Sequence, residues 1–177
     1  IDYYIAISST EIVTFRLDHH KDTYCYRPYW SPDFDKFNMI QCDANDSNKR
    51  LVEEKFLDLF SKGKMNGTVH TCVGQEFSAV TVAGQLTDDD WITSNHRCHG
   101  HFISKTKNWQ GLIDELRGLE SGVCKGIGSS QHLYSKLGFI SNGPQGALVP
   151  VASGIAYSKR ICANKSIAVS FIGEGTL

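Results

Sequence analysis

The sequence lacks the features that mark several specialised classes of protein. No apolar run approaches the roughly 20 residues that a membrane-spanning helix requires, so we expect no membrane partner. Basic residues number 18 and acidic residues 19, for a net charge of −1, which argues against a nucleic-acid partner. The first residues include no basic segment, long apolar stretch or cleavage site, so we do not expect secretion. The chain begins with Ile1 rather than Met, which favours a fragment that starts downstream of the start of its gene.

The cysteines lack the spacing of a metal site or a disulfide scaffold. Six are present, all scattered singly, and no Cys-x-x-Cys pair occurs. Such thiols are typical of proteins in a reducing compartment, where they act as small apolar residues. We therefore expect free thiols and a location in the bacterial cytoplasm or an organellar matrix. The positions are Cys25, Cys42, Cys72, Cys98, Cys124 and Cys162.

The chain has two parts that differ in composition and in hydrophobic pattern. Its 177 residues, 41% hydrophobic and 21% charged, suit a globular domain with a real core. Residues 1–45 hold strand-like stretches at 3–7 and 11–15, and we assign no chemistry to them. We predict that 1–45 form an extension of unclear role with some β-structure, and that 46–177 form an α/β domain.

Four helices are predicted in the second part. Asp46 or Ser47 can cap the first, and Lys62-Gly63 can close it with a cation near the negative end of the helix dipole and a glycine for a left-handed exit. Apolar spacing predicts the next two helices over 75–86 and 109–119. Pro150 suits the first turn of the fourth, whose small residues permit close packing.

Glycines are concentrated between Gly118 and Gly146. A glycine-rich run of this length predicts an ordered or ligand-dependent loop rather than a packed element. Further along, the near-continuous apolar run at 167–172 predicts a strand buried on both faces of a parallel sheet. The predicted fold is therefore α/β, with a parallel sheet flanked by helices.

The sequence Gly173-Glu174-Gly175 follows this predicted strand. Ligands bind at the carboxyl ends of strands in open α/β sheets, and glycines there let the backbone approach a phosphate. A carboxylate between the glycines would repel a phosphate unless a cation separates them. Glu174 therefore suggests Mg²⁺ between the carboxylate and a diphosphate. The local sequence fits equally well a strand-to-loop turn with a surface glutamate.

Five ordered segments indicate a family. They are Lys62-Gly63-Lys64 with Gly67, His70 and Gly74-Gln75-Glu76; His96-Arg97-Cys98-His99-Gly100-His101; Glu115-Leu116 with Gly118 and Gly122 to His132; Asn142-Gly143 with Gly146, Val149-Pro150, Gly154 and Ala156; and Gly173-Glu174-Gly175. In order and spacing they resemble the alpha subunits of thiamine-diphosphate-dependent 2-oxo acid dehydrogenases. This family includes pyruvate, branched-chain 2-oxo acid and acetoin dehydrogenases. The similarity covers roughly residues 47–177.

The resemblance implies a fold and an activity. The fold would be the thiamine-diphosphate-binding fold, incomplete because the chain stops within the cofactor motif. The activity would be the oxidative decarboxylation of a 2-oxo acid with transfer of the acyl group to a lipoyl group, using thiamine diphosphate and Mg²⁺. The implied partners are a beta subunit, in a heterotetramer, and a lipoyl-bearing acyltransferase. Because the beta subunit supplies the glutamate that activates the cofactor in this family, we expect the chain alone to be inactive.

The resemblance also implies roles for individual residues. Arg97 would hold a diphosphate oxygen, and His96, at the place of the family's tyrosine, would be a second donor. Gly143 and Gln145 would meet the aminopyrimidine ring. The implied cofactor-binding set is His96, Arg97, Gly143, Gln145, Gly173 and Gly175, with Glu174 as the metal ligand. No catalytic residue is identified; the candidates are His70, His99 and His132, each of which could instead be a structural histidine.

Two departures from the family pattern keep alternatives open. The family's Gly-Asp-Gly is Gly-Glu-Gly here, and its Ile-Val after Asn-Gly is Pro144-Gln145. The protein could therefore be an acetoin-cleaving relative or a non-catalytic homologue of the same fold. A different class of function is a metal-binding module, since borderline and soft zinc ligands are crowded into six residues. Those ligands are His96, Cys98, His99 and His101.

Overall fold

A computed structural model describes residues 2–7, 12–20, 23–28, 45–65, 67–173 and 176. Five helices and seven strands occur within these ranges. The strands are β1 (Asp2–Ile7), β2 (Ile12–His20), β3 (Thr23–Pro28), β4 (Trp91–Ser94), β5 (Tyr134–Ser135), β6 (Phe139–Ser141) and β7 (Ala168–Ile172). The helices are α1 (Asn45–Ser61), α2 (Glu76–Ala83), α3 (His99–Thr106), α4 (Trp109–Leu116) and α5 (Leu148–Ile161).

All seven strands form one sheet in the order β3-β2-β1-β7-β4-β6-β5. The pairs β4–β6 and β4–β7 are parallel, and all five residues of β7 are buried, as the sequence predicts. The predicted parallel sheet is present at this centre, but β1 and β5 pair with it in antiparallel fashion, so the sheet as a whole is mixed. Connections as short as those between β1 and β2 or between β5 and β6 cannot make the crossover that parallel strands need. The chain therefore forms a mixed α/β sheet.

The first part of the chain joins the same sheet. Strands β1, β2 and β3 are consecutive antiparallel neighbours, and β1 pairs with β7 from Tyr3 opposite Ile172 to Ile7 opposite Ala168. The role of residues 1–45 and the division of the chain at residue 46 stay predictions.

Helices cover both faces of the sheet. Alternate residues of a strand point to opposite faces. In β7, Val169 and Phe171 belong to the main core, while Ala168 belongs to a second cluster with Ala152 and Ala156 of α5. The small residues of α5 thus allow it to pack closely on β7 and β4, as predicted. Within the described ranges, no helix is both long and apolar enough to cross a membrane.

The main core lies between the sheet and α1 to α4. Its largest fully buried side chains include Ile92 of β4 and Phe139 of β6, and Phe102 of α3 meets Phe139 edge to face at 5.2 Å between ring centroids. The sequence prediction had placed no element at β4 or α3. The predicted helices α1, α2, α4 and α5 are present, although α2 ends at Ala83 and α4 at Leu116, about three residues earlier than expected.

The glycine-rich segment is more structured than predicted. It contains β5 and β6, and both Leu133 and Phe139 are buried, so the prediction of a loop without packed elements is wrong. The sequence does not predict these strands because they are only two and three residues long. Gly138 has φ +86°, and a Cβ there would lie 2.4 Å from the carbonyl oxygen of Asp90. This glycine lets the chain turn into β6 directly against the start of β4.

Candidate active site

The carboxyl ends of three adjacent parallel strands surround one open cavity of about 40 Å³. Ser94 and Asn95 lie at the end of β4, Asn142 follows β6, and Gly173 follows β7. This is the edge of the sheet where open α/β proteins bind ligands. The remaining wall residues are His96, Pro144, Gln145, Gly146, Leu148, Val149, Ser170, Phe171, Ile172 and Thr176.

The first turn of α5 forms one wall of the cavity. Leu148 and Val149 line it, preceded by Gly146 with φ +75°. A Cβ on Gly146 would approach Thr176 Cγ2 to 3.0 Å, so glycine keeps this corner open. The donors of this turn are limited, because the Val149 N–H donates to the Gly146 carbonyl at 3.2 Å and Pro150 has no N–H.

The predicted cofactor residues are placed as follows. His96, Gln145 and Gly173 line the cavity together. Gly143 lies beside it, where a Cβ would come 2.3 Å from Gln131 Oε1. Glu174 and Gly175 lie outside the described residues.

Arg97 is exposed beside the cavity rather than on its wall. Its Nη1 donates to the Thr71 carbonyl, and its backbone N–H donates to Asn95 Oδ1 at 2.9 Å. The structure therefore holds the backbone of Arg97 next to a wall residue and leaves the guanidinium at the surface.

His96 is half-buried, and its ring meets the His70 ring edge to face at 5.2 Å between centroids. Burial lowers the pKa of His96, and its electrostatic interactions with His70 and Arg97 lower it further. A neutral imidazole can both donate and accept a hydrogen bond, which suits it to a wall of mixed polar groups.

The three histidines considered for catalysis have different surroundings. His70 reaches the cavity wall through His96, and its Nδ1 accepts a hydrogen bond from Gln131 Nε2 at 3.0 Å. His99 is fully buried between Glu53 and Ser130, at 3.0 and 3.1 Å. His132 is exposed and contributes nothing to the cavity wall. The structure therefore brings two of these three close to predicted cofactor residues: the His70 ring contacts His96, and a Cβ on Gly143 would lie 3.8 Å from His132 Nε2.

Comparison with known proteins decides the family. Residues 46–176 match the family described as dehydrogenase E1 component. The chain belongs to the dehydrogenase E1 component family. The assignment confirms the resemblance that the five sequence segments indicate.

Named relatives of this E1 chain are alpha subunits. It is 38% identical over 128 residues to the alpha subunit of acetoin:2,6-dichlorophenolindophenol oxidoreductase of Bacillus subtilis, a match that covers 71% of this chain and 38% of that protein. It is 32% identical over 117 residues to the mitochondrial pyruvate dehydrogenase E1 alpha subunit of Schizosaccharomyces pombe, with 66% and 29% covered. It is also 31% identical over 128 residues to the pyruvate dehydrogenase E1 alpha subunit of Rhizobium meliloti. That match covers 71% of this chain and 37% of that protein. The E1 chain thus spans about a third of the length of these relatives.

A buried carboxylate of this E1 chain organises the glycine-rich segment. Glu115 is fully buried at the end of α4. Its two oxygens accept four backbone N–H groups of the segment at 2.7 to 3.0 Å. The donors are Cys124, Gly126, Gly128 and Ser129. The sequence comparison noted Glu115 only as part of a family segment, because an isolated glutamate near a helix end gives no sign that it is buried.

Behind the cavity wall, His101 is buried and stacks on Phe171 with 3.6 Å between ring centroids. Its Nδ1 lies 2.7 Å from the hydroxyl oxygen of Ser94, a residue of the cavity wall. Burial lowers the pKa of His101 to about 3, so the ring is neutral at physiological pH.

The alternative of a histidine–cysteine metal module does not fit this geometry. The Cys98 thiol donates to the Ser130 carbonyl. The His99 ring contacts Glu53 and the Ser130 hydroxyl, and the His101 ring contacts Ser94. Among the residues that the structure describes, no group of three or more His, Cys, Asp or Glu could hold a metal ion. Cys72, Cys98, Cys124 and Cys162 are free thiols, and Cys25 and Cys42 have no described side chains.

Sequence reasoning missed several wall residues. Ser94 ends a strand of only four residues and Asn95 follows it, and four residues are too few for a clear alternating pattern. Its composition of Trp, Ile and Thr was the available signal, because such residues favour strands. Recognising that strand would have placed Ser94 and Asn95 at the same sheet edge as Gly173.

Proposed function

We propose that this chain is part of the alpha subunit of a thiamine-diphosphate-dependent 2-oxo acid dehydrogenase. The reaction is the oxidative decarboxylation of a 2-oxo acid with transfer of the acyl group to a lipoyl group. One observation carries the proposal: His96, Gln145 and Gly173, which the family resemblance links to the cofactor, line a single cavity at the ends of parallel strands. We propose the thiamine-diphosphate-binding fold on the same basis.

The cavity wall has the chemistry to hold one end of thiamine diphosphate. Side-chain amides of Asn95, Asn142 and Gln145 offer both donors and acceptors. The first turn of α5 adds the apolar residues Leu148 and Val149, and Gly146 keeps a corner free of side chain. Gly173 is positioned for backbone contact, and Glu174 after it is the proposed ligand of Mg²⁺.

The cavity is too small to enclose the whole cofactor. Sites that bury small organic ligands usually have volumes of about 300–1,000 Å³, against about 40 Å³ here. The missing walls are assigned to the rest of the alpha subunit and to a beta subunit in a heterotetramer. The lipoyl-bearing acyltransferase is the proposed acceptor of the acyl group.

When bound, thiamine diphosphate would supply the carbon nucleophile needed for the decarboxylation of a 2-oxo acid. The proposed role of this chain's residues is to position the cofactor and to neutralise the charge of its diphosphate. Arg97 can swing from the Thr71 carbonyl to a diphosphate oxygen, since its side chain is exposed. His96 would provide a second donor, and His70, whose ring contacts His96, would lie near the substrate. The mitochondrial and bacterial names among the relatives support a location in an organellar matrix or the bacterial cytoplasm.

Binding of thiamine diphosphate is expected to require Mg²⁺. Calorimetry on the full-length alpha subunit assembled with its beta partner should show binding with Mg²⁺ and none after chelation, because the cation must separate Glu174 from the diphosphate. Metal-independent binding would remove Glu174 from its proposed role. Mg²⁺-dependent binding without turnover of any 2-oxo acid or of acetoin would favour the non-catalytic homologue.

Arg97→Ala should weaken the binding of thiamine diphosphate by about 2 kcal/mol, the effect of losing a hydrogen bond from a charged group. The change corresponds to roughly 30-fold in Kd and is measured by the same calorimetry. Arg117→Ala is the matched control, because Arg117 is also exposed but lies at the end of α4, away from the cavity wall. Equal affinities for the two variants would exclude Arg97 from the cofactor site.

An acetoin-cleaving enzyme is the second candidate, favoured by the 38% identity to the Bacillus subtilis relative. The two activities share the cofactor and differ in substrate. Parallel assays of the assembled enzyme with acetoin and with 2-oxo acids, using 2,6-dichlorophenolindophenol as the electron acceptor, distinguish them. Reduction of the dye with acetoin alone would select the second candidate.

A further inference from the structure

Three segments of the chain meet at the hydroxyl group of Ser130, and a fourth, which carries Glu53, joins them through His99. Ser130 is fully buried, and its Oγ lies 3.1 Å from His99 Nε2 and accepts the His70 backbone N–H at 3.1 Å. On its other side, His99 Nδ1 lies 3.0 Å from Glu53 Oε1. The second oxygen of Glu53 accepts the backbone N–H of Cys72 at 3.0 Å.

The protons of this chain of hydrogen bonds have one consistent arrangement for a neutral imidazole. A carboxylate can only accept, so His99 Nδ1 donates to Glu53. His99 Nε2 then accepts the proton of Ser130, and the Ser130 oxygen accepts from the His70 N–H. Every polar atom along the path has a partner, and the path begins and ends on the backbone of one short segment, at His70 and Cys72.

The order carboxylate, imidazole, hydroxyl also occurs in enzymes that use serine as a nucleophile. Here Glu53, His99 and Ser130 are each no more than 1% exposed, and none of them lines the cavity. A nucleophile that no substrate can reach does no chemistry. The arrangement therefore acts on what it holds, which is the segment that carries His70.

The ring of His70 is fixed separately. Gln131, the residue after Ser130, donates from Nε2 to His70 Nδ1 at 3.0 Å. An amide nitrogen only donates, so Nδ1 of His70 is the accepting nitrogen and its proton is on Nε2. The ring also packs edge to face on His96, a residue of the cavity wall.

We propose that Glu53, His99, Ser130 and Gln131 are positioning residues that hold His70 at the rim of the cavity with its Nε2–H directed to the substrate. The three buried residues fix the backbone of His70, and Gln131 fixes the orientation and tautomer of its ring. A substrate carbonyl or carboxylate oxygen is the chemical group that such a donor recognises. The inference rests on the proposed function for its substrate, but its hydrogen bonds can be tested without any substrate.

The first experiment is a double-mutant cycle in the full-length alpha subunit assembled with its beta partner. Ser130→Ala should lower kcat/KM for the 2-oxo acid by about 10-fold and leave the Kd of thiamine diphosphate unchanged. His70→Ala should lower kcat/KM at least as much. The double variant should match His70→Ala alone, since Ser130 acts only through His70. Additive losses would overturn the proposal.

A matched control is available in the same core. Ser104 is also buried, and its Oγ has no hydrogen-bond partner among the described residues. Ser104→Ala should therefore leave kcat/KM unchanged. A loss equal to that of Ser130→Ala would show that any buried serine-to-alanine change disturbs the enzyme, and would contradict a specific role for Ser130.

A second measurement uses a substitution at Gln131. This residue is only half-buried, so the proposal can still be tested if Ser130→Ala does not fold. In ¹⁵N NMR of the subunit without cofactor, His70 should show an unprotonated Nδ1 and a protonated Nε2, and Gln131→Leu should abolish this preference. A His70 ring protonated on Nδ1 in the parent, or a Gln131→Leu spectrum like the parent's, would refute the inference. If the assembled enzyme turns over no 2-oxo acid while this NMR signature is present, the proposed function fails and the positioning of His70 stands.

Discussion

Glu115→Gln should lower the free energy of unfolding by about 3 kcal/mol and loosen the glycine-rich segment. The parent carboxylate accepts two backbone N–H groups on each oxygen, at 2.7 to 3.0 Å. Glutamine keeps one oxygen and turns an NH₂ group toward the other pair of donors. Two amide hydrogens then lose their acceptor and face a donor, without a change in side-chain size.

The measurement is urea unfolding of the full-length subunit, together with hydrogen exchange of the amides of the segment. Glu120→Gln is the matched control, because Glu120 is exposed a few residues further on and its change should stay within about 0.5 kcal/mol. We expect exchange at Cys124, Gly126, Gly128 and Ser129 to accelerate in Glu115→Gln alone. If both variants unfold at the same urea concentration, the segment holds its shape without Glu115.

Acid should destabilise the protein through His101. Its pKa is about 3 in the folded state and 6.5 as a model value, so the unfolded chain takes up the proton first as the pH falls. The stability contributed by the neutral ring is complete above pH 6.5 and is lost progressively between pH 6.5 and pH 3. At pH 4.5 the loss amounts to about 3 kcal/mol, from 1.36 kcal/mol per pH unit.

Unfolding free energies measured by urea from pH 7.5 to pH 4.5 test this expectation. His101→Gln removes the titrating ring while keeping a polar group near Ser94, so its stability should depend less steeply on pH below 6.5. The control is His132→Gln, which removes an exposed histidine and should retain the acid sensitivity of the parent. A His101→Gln profile parallel to that of the parent would assign the acid sensitivity to other groups.

The sequence predicts long elements of this fold well and short ones poorly. The five-residue strand β7 was found because every one of its residues is apolar or small and buried, and α5 because Pro150 and small residues mark its start and its packing face. Strands β4 and β6 have four and three residues, so neither gives a periodic signal. Their pairing partners, not their own sequences, make them strands.

The sequence predicts the parts of the candidate site that contain glycine motifs. It does not predict the residues whose roles depend on burial. Glu53 and Glu54 are neighbours in sequence, but Glu53 is 1% exposed and Glu54 is exposed. Helical spacing distinguishes them in retrospect, because Glu53 lies three residues before the buried Phe56 on the same face of α1. Glu53 acquires its role from His99, 46 positions away, and local sequence cannot show such a contact.

The position of β7 between β1 and β4 also has a consequence for the order of folding. Until β7 arrives, both neighbours have an open edge of unpaired backbone groups, which can recruit strands from other molecules. The pairing of β7 with β4 joins residues 77 positions apart, whereas α2, α3 and α4 are close in sequence. Contacts of large separation slow folding, so we expect the helical core to form first and the cavity to close late. Nascent or refolding chains are then most prone to aggregate at the strand edges of β1 and β4 that β7 later covers.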